Sequence, residues 1–137
     1  MLFRSELFYL LLTAILTGCL WIPYVIGLVM TRGFLRPVDY VTAPTSALPD
    51  WVNRANRAHL NAVESFAPFA AVVFIAQAAG VSTGLTQAAA AVFFYARLVH
   101  AVVQLTGFSQ LMARTVVFTV GWMAFMAFAI EVARHAL

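Results

Sequence analysis

Residues 54–79 read RANRAHLNAVESFAPFAAVVFIAQAA: two arginines, a histidine, two asparagines and a glutamate open a run whose second half is almost wholly apolar. At the helical spacing of about 100° per residue, Arg54, Arg57, Asn61 and Glu64 share one stripe, and His59 points roughly the opposite way. An ionisable side chain at membrane depth costs at least about 2.5 kcal/mol, so it persists where it is paired or faces a polar cavity. The plainer reading is that Arg54 and Arg57 reach back to the headgroups and only Glu64 lies inside, on a structural partner. In both readings this stretch is a membrane helix, and the rest of the chain is read outward from it.

The 137 residues are 64% hydrophobic and 9% charged, and all eight basic residues are arginine. Soluble domains carry about 25% charged residues, so the composition predicts an integral membrane protein, all-α, with no soluble domain left over. A span takes about 20 apolar residues, which leaves room for four. The predicted domain is a single four-helix transmembrane bundle over 1–137, with spans at about 7–30, 54–79, 85–106 and 114–133 and a long loop over 31–53. The net charge of +3 is too dispersed for a nucleic-acid surface and suits an anionic small molecule or lipid. Cys19 cannot pair within the chain and is expected to be an inert buried thiol.

Pro23 should bend the first span, and Gly18 and Gly27 should admit a neighbouring helix. Leu16-Thr17-Gly18-Cys19 mimics a lipoprotein cleavage site, but the apolar run continues beyond it, which predicts a retained span. The loop over 31–53 is rich in Gly, Pro, Ser and Thr and leads into the polar stripe; Asp50 or Asn53 could cap the helix after it. The third span has its own stripe, Arg97, His100 and Gln104, and the fourth opens on Arg114-Thr115. Glu131 and Arg134 are spaced for a local ion pair of little weight.

Arg32, Arg36, Arg54, Arg57 and Arg114 gather on one side and Arg4 and Arg134 on the other, which predicts a cytoplasmic long loop with both termini opposite. At about 1.5 Å per residue, Glu64 and Arg97 reach similar depth from that side, so a buried Glu64–Arg97 pair is expected. Arg54, Arg57, Arg97 and Arg114 outnumber Glu64, and forked guanidinium groups in excess suit a ligand bearing carboxylates.

The runs 54–69, Ala96-Arg97-Leu98-Val99-His100 and Arg114-Thr115 resemble the family of membrane-associated proteins in eicosanoid and glutathione metabolism, MAPEG, over essentially the whole chain. The resemblance implies a homotrimer of four-helix subunits that binds glutathione as cosubstrate between neighbouring copies, near the cytoplasmic face. It implies a glutathione-dependent transferase or peroxidase acting on hydrophobic electrophiles or lipid hydroperoxides, in contact with membrane lipids. By position, Arg54, Arg57, His59, Asn61, Glu64, Arg97, His100 and Gln104 would bind glutathione or organise its site. Arg114 would stabilise the glutathione thiolate, with Thr115 beside the sulfur; no metal is implied.

Gln104 stands where members often have tyrosine, and Leu60 where one has arginine. A glutamine hydrogen-bonds but supplies no phenol, so the alternative is a non-catalytic lipid- or glutathione-binding scaffold of the same family. A third reading, independent of the family, makes His59 and His100 axial ligands of a haem.

Overall fold

Pro23 sets the shape of the first span. In the computed structural model, which describes residues 4–42 and 44–136, helix α1 (Ser5–Cys19) and helix α2 (Trp21–Arg32) are two pieces of one span with a turn at Leu20. Proline has no N–H to give the Cys19 carbonyl four residues back, and its ring crowds that carbonyl. The expected bend is therefore a break, three residues before the proline.

After a loop with a short 3-10 turn at Pro37–Tyr40 come α3 (Asp50–Ala78), α4 (Gly84–Thr106) and α5 (Ala113–Ala136). The fold is all-helical, and four segments are long and apolar enough to cross a membrane: Ser5–Arg32, Asp50–Ala78, Gly84–Thr106 and Ala113–His135. Helix α3 begins earlier than the sequence suggested. Its N-cap is Pro49, which fixes an extended backbone without a side-chain cap. Asp50 sits in the first turn, and the Asn53 amide donates instead to the Leu48 carbonyl (3.2 Å), tying the helix to the loop before it. In that loop the Arg36 backbone N–H donates to the Asp39 carboxylate (2.7 Å), which lowers the Asp39 pKa.

Antiparallel connection places the start of α3, the end of α4 and the start of α5 at one end of the bundle. The apolar core fills the other end. There Phe69, fully buried, stacks on Phe93 with ring centroids 3.9 Å apart and meets Phe128 edge-on at 6.0 Å; Leu10, Val73, Ala76, Ala90 and Val132 pack around them. At the polar end the buried positions of α3 beyond Val52 are small, Ala55, Ala58 and Ala62, which lets α3 lie close to its neighbours without a bulky core.

Gly27 permits the closest of these approaches. A Cβ there would lie 2.5 Å from Val52 Cγ2 and 2.8 Å from Trp51 Cη2, whereas nothing lies within 4 Å of one at Gly18. The expectation for Gly27 is met and that for Gly18 is not, because Gly18 faces outward. Gly27→Ala is expected to cost about 1–3 kcal/mol through overpacking, and Gly18→Ala next to nothing. Thermal unfolding in detergent checks this: equal midpoints for the two variants would contradict the packing described.

Helix α1 is held by a group the sequence reading passed over. Glu6 is 0% exposed; its carboxylate accepts from Thr86 Oγ1 (2.7 Å) and Ser82 Oγ (2.8 Å). Thr83 and Thr86 cap α4 reciprocally, and Thr83 Oγ1 also donates to Glu131 (3.0 Å). One capping box thus binds α1, α4 and α5 together. Arg134 lies 3.8 Å from Glu131, as the spacing suggested, but the buried Glu131 is chiefly a joint to the α3–α4 turn. Cys19 is exposed on the outer face of α1, not buried as expected, since at its helical phase it looks away from α3 and α4.

Candidate functional site

Three cavities follow one another along the polar half of the bundle. The outermost, about 290 Å³, lies between the start of α3 and the α4–α5 turn and is lined in part by Arg54, Arg57, Gln104, Arg114 and Thr115. The next, about 470 Å³, has Arg57, Asn61, Glu64, His100, Gln104, Arg114, Thr115 and Phe118 in its wall. The innermost, about 330 Å³, is walled by Pro68, Phe93, Phe118, Trp122 and Phe125, with Asn61, Glu64, Ser65 and Arg97 at one end. The second and third of these share Asn61, Glu64 and Phe118, so a polar chamber opens onto an aromatic one.

Arg54 is placed by a glycine. Gly107 ends α4 with φ of 75°, a conformation that favours glycine, and a Cβ there would lie 2.9 Å from Arg54 Nε. Helix α5 then starts after Met112, whose φ of 51° is strained for a non-glycine residue at the edge of the outermost cavity. Arg57, Arg114 and Thr115 are exposed at the mouth; His100 and Gln104 are buried behind them.

The structure brings Arg57, Asn61, Glu64, His100, Gln104, Arg114 and Thr115 onto one chamber, with Arg54 in the outer cavity and Arg97 in the inner one. His59 lines none of the three. Its ring looks the other way on α3, and its Nδ1 has no hydrogen-bond partner among the described residues. The two histidines therefore do not flank a common cavity, and the haem arrangement finds no support.

The expected Glu64–Arg97 ion pair does not form. Among the described residues the ion pairs are Arg36–Asp39, Arg134–Glu131 and His135–Glu131. Arg97 donates instead to Asn61 Oδ1 (3.1 Å), Ser65 Oγ (3.3 Å) and the Phe118 carbonyl (3.3 Å). The reason is helical phase. Asn61 and Ser65, four residues apart, face α4 together, while Glu64 lines the cavities from an exposed position out of reach of Arg97. Ser65, Phe118 and Trp122 belong to the cavities and were not singled out in the sequence; Ser65 follows Asn61 at i+4, the one signal that could have found it.

This layout, four spans with arginines gathered at one end, agrees with a direct comparison to known families. A family model described as "MAPEG family" matches residues 9–134. The chain belongs to the MAPEG family. MAPEG proteins are membrane four-helix bundles, and the match takes in all four spans except the ends of the first and last. No curated protein matches the chain. Membership makes this an integral membrane protein of a glutathione-related kind, and glutathione is the cosubstrate the MAPEG family generally uses.

The cavities suit that class chemically. Arginine guanidinium groups fork onto carboxylates, and glutathione carries two. The inner chamber has Arg97 at its polar end, and its wall of Phe93, Phe118, Trp122 and Phe125 suits the apolar part of a compound dissolved in the bilayer.

Proposed function

We propose that this MAPEG protein is a glutathione-dependent transferase or peroxidase for hydrophobic electrophiles or lipid hydroperoxides. The observation that carries the reading is the shared wall: an arginine-lined polar chamber meets an aromatic chamber across Asn61, Glu64 and Phe118. A water-soluble thiol and a membrane-soluble partner would meet there.

In this reading Arg54 and Arg57 take glutathione carboxylates at the mouth. Asn61, His100 and Gln104 hydrogen-bond the tripeptide, and Glu64 is placed for its amino group. Arg114 holds the sulfur as thiolate, with the Thr115 hydroxyl donating to it, and the thiol proton leaves to water. In the transferase reaction the sulfur lone pair forms a C–S bond as the electrophile's leaving group departs with its bonding electrons. In the peroxidase reaction two glutathiones reduce one hydroperoxide to an alcohol and water and are oxidised to the disulfide.

Glu64 and Leu60 are exposed on α3 at membrane depth, a surface that a second copy would cover. That exposure is in keeping with sites between copies, which we read as a homotrimer from the likeness to the MAPEG family; the surplus of arginine at that end is the ground for reading it as cytoplasmic, with both termini opposite. The scaffold reading keeps one observation in its favour: Gln104, buried between the two polar cavities, offers an amide where a phenol could act on the sulfur.

The deciding experiment is turnover of glutathione with a chlorodinitrobenzene and with cumene hydroperoxide by the purified protein. A rate well above the uncatalysed one with either compound is expected. Protein that binds glutathione and turns over neither would leave the scaffold.

A further inference from the structure

Two further cavities lie outside the site described above, where the first span ends. One, about 190 Å³, is walled in part by Arg32, Arg36, Asp39, Pro44 and Ser46. The other, about 250 Å³, is an apolar groove along α2 lined by Tyr24, Val25, Leu28 and Val29. Arg32, Gly33 and Leu35 belong to both, so a charged recess adjoins an apolar groove. Gly33 makes the junction. It ends α2 with φ of 76°, a conformation that favours glycine, and turns the chain so that Leu35 stands in the groove wall.

The charge in the recess does not cancel. Asp39 is engaged by Arg36, whose backbone N–H donates to the carboxylate at 2.7 Å and whose Nε lies 3.5 Å from it. Arg32 pairs with no carboxylate among the described residues; its guanidinium donates to the Ser46 carbonyl. Two arginines against one aspartate leave a single positive charge. The loop around it is apolar and bare: Phe34 and Val41 are 85% and 88% exposed, and Leu35, Val38 and Tyr40 are exposed as well. Large apolar side chains left bare just past the end of a span stand at the level of the lipid headgroups, where aromatic rings are enriched and an exposed apolar patch marks a contact surface.

We propose that the recess and groove together bind an anionic glycerophospholipid, its phosphodiester on Arg32 with Arg36 beside it and an acyl chain along Tyr24, Val25, Leu28 and Val29. A phosphodiester carries one negative charge and has oxygens for a guanidinium fork. A choline headgroup would bring a second positive charge to Arg32, with Asp39 already engaged by Arg36. The same charge would hold this end of the bundle against an anionic leaflet. The site is separate from the glutathione chamber and stands or falls without it.

The test is native mass spectrometry of the full chain released from detergent that carries equal amounts of dioleoyl phosphatidylglycerol and dioleoyl phosphatidylcholine. Retained phosphatidylglycerol is expected to exceed phosphatidylcholine about fivefold, the effect of one arginine at an anionic lipid surface. Arg32→Gln should bring the two lipids level, and Arg114→Gln, at the other arginine-lined cavity, should leave the preference in place. Val25→Trp fills the groove from an exposed position and should cut bound phosphatidylglycerol severalfold with every charge intact. Equal retention of the two lipids by the wild type overturns the proposal, and that comparison needs no variant to fold. A preference that survives in Arg32→Gln overturns it as well. Displacement of the lipid by glycerol phosphate overturns it in favour of a free phosphate. A wild type that retains neither lipid overturns it and gives the bare face of the loop to a second copy.

Discussion

If the proposed conjugation is this protein's reaction, Arg114→Ala is expected to lower its kcat/KM by about a hundredfold to a thousandfold, the usual cost of removing one group aimed at a reacting anion. A free thiol titrates at about 8.5, and a guanidinium beside the sulfur favours the thiolate. With Arg114 gone, the rising limb of the pH–rate profile moves upward, so the deficit is largest at neutral pH and shrinks in alkali. Arg114→Lys, a point charge on a flexible stem, recovers part of the rate. The pH profile is the deciding readout. A raised KM with an unmoved profile would make Arg114 a carboxylate clamp at the chamber mouth, not the thiolate partner.

Phe69→Ala destabilises the bundle by about 3–5 kcal/mol. The ring is fully buried, stacked on Phe93 and edge-on to Phe128, at the place where α3, α4 and α5 meet. Inside a bilayer little hydrophobic force drives helices together, so close packing carries the association and a ring-sized void removes it locally. Phe69→Leu keeps most of the volume and should cost far less. Phe93 touches both the core stack and Arg97, so the same void should loosen the aromatic chamber. Unfolding midpoints in detergent measure the first effect; an unchanged midpoint for Phe69→Ala would contradict the packing.

The four spans and the gathering of arginines were legible because both are written in local pattern: apolar length, loop chemistry and helical phase. The stripe Arg54, Arg57, Asn61 and Glu64 does turn toward the cavities, and His59 does turn away. Pairings across helices were not legible. Glu64 and Asn61 differ by less than one turn, and only the rotation of α3 against α4 decides that Asn61 meets Arg97. Glu6 looks like an ordinary first-turn acid, because Ser82 and Thr86 lie 76 and 80 residues along the chain. The outward face of Cys19 and the empty space at Gly18 likewise follow from how the broken first span leans on its neighbours.

Calorimetric titration of glutathione into the detergent-purified protein, beside Arg57→Ala and with thiolate absorbance recorded in parallel, tests the account at its centre. Saturable binding with a thiolate signal in the wild type, lost or much weakened in Arg57→Ala, is the result expected of an arginine-walled glutathione chamber. A folded wild-type protein that binds no glutathione would contradict it.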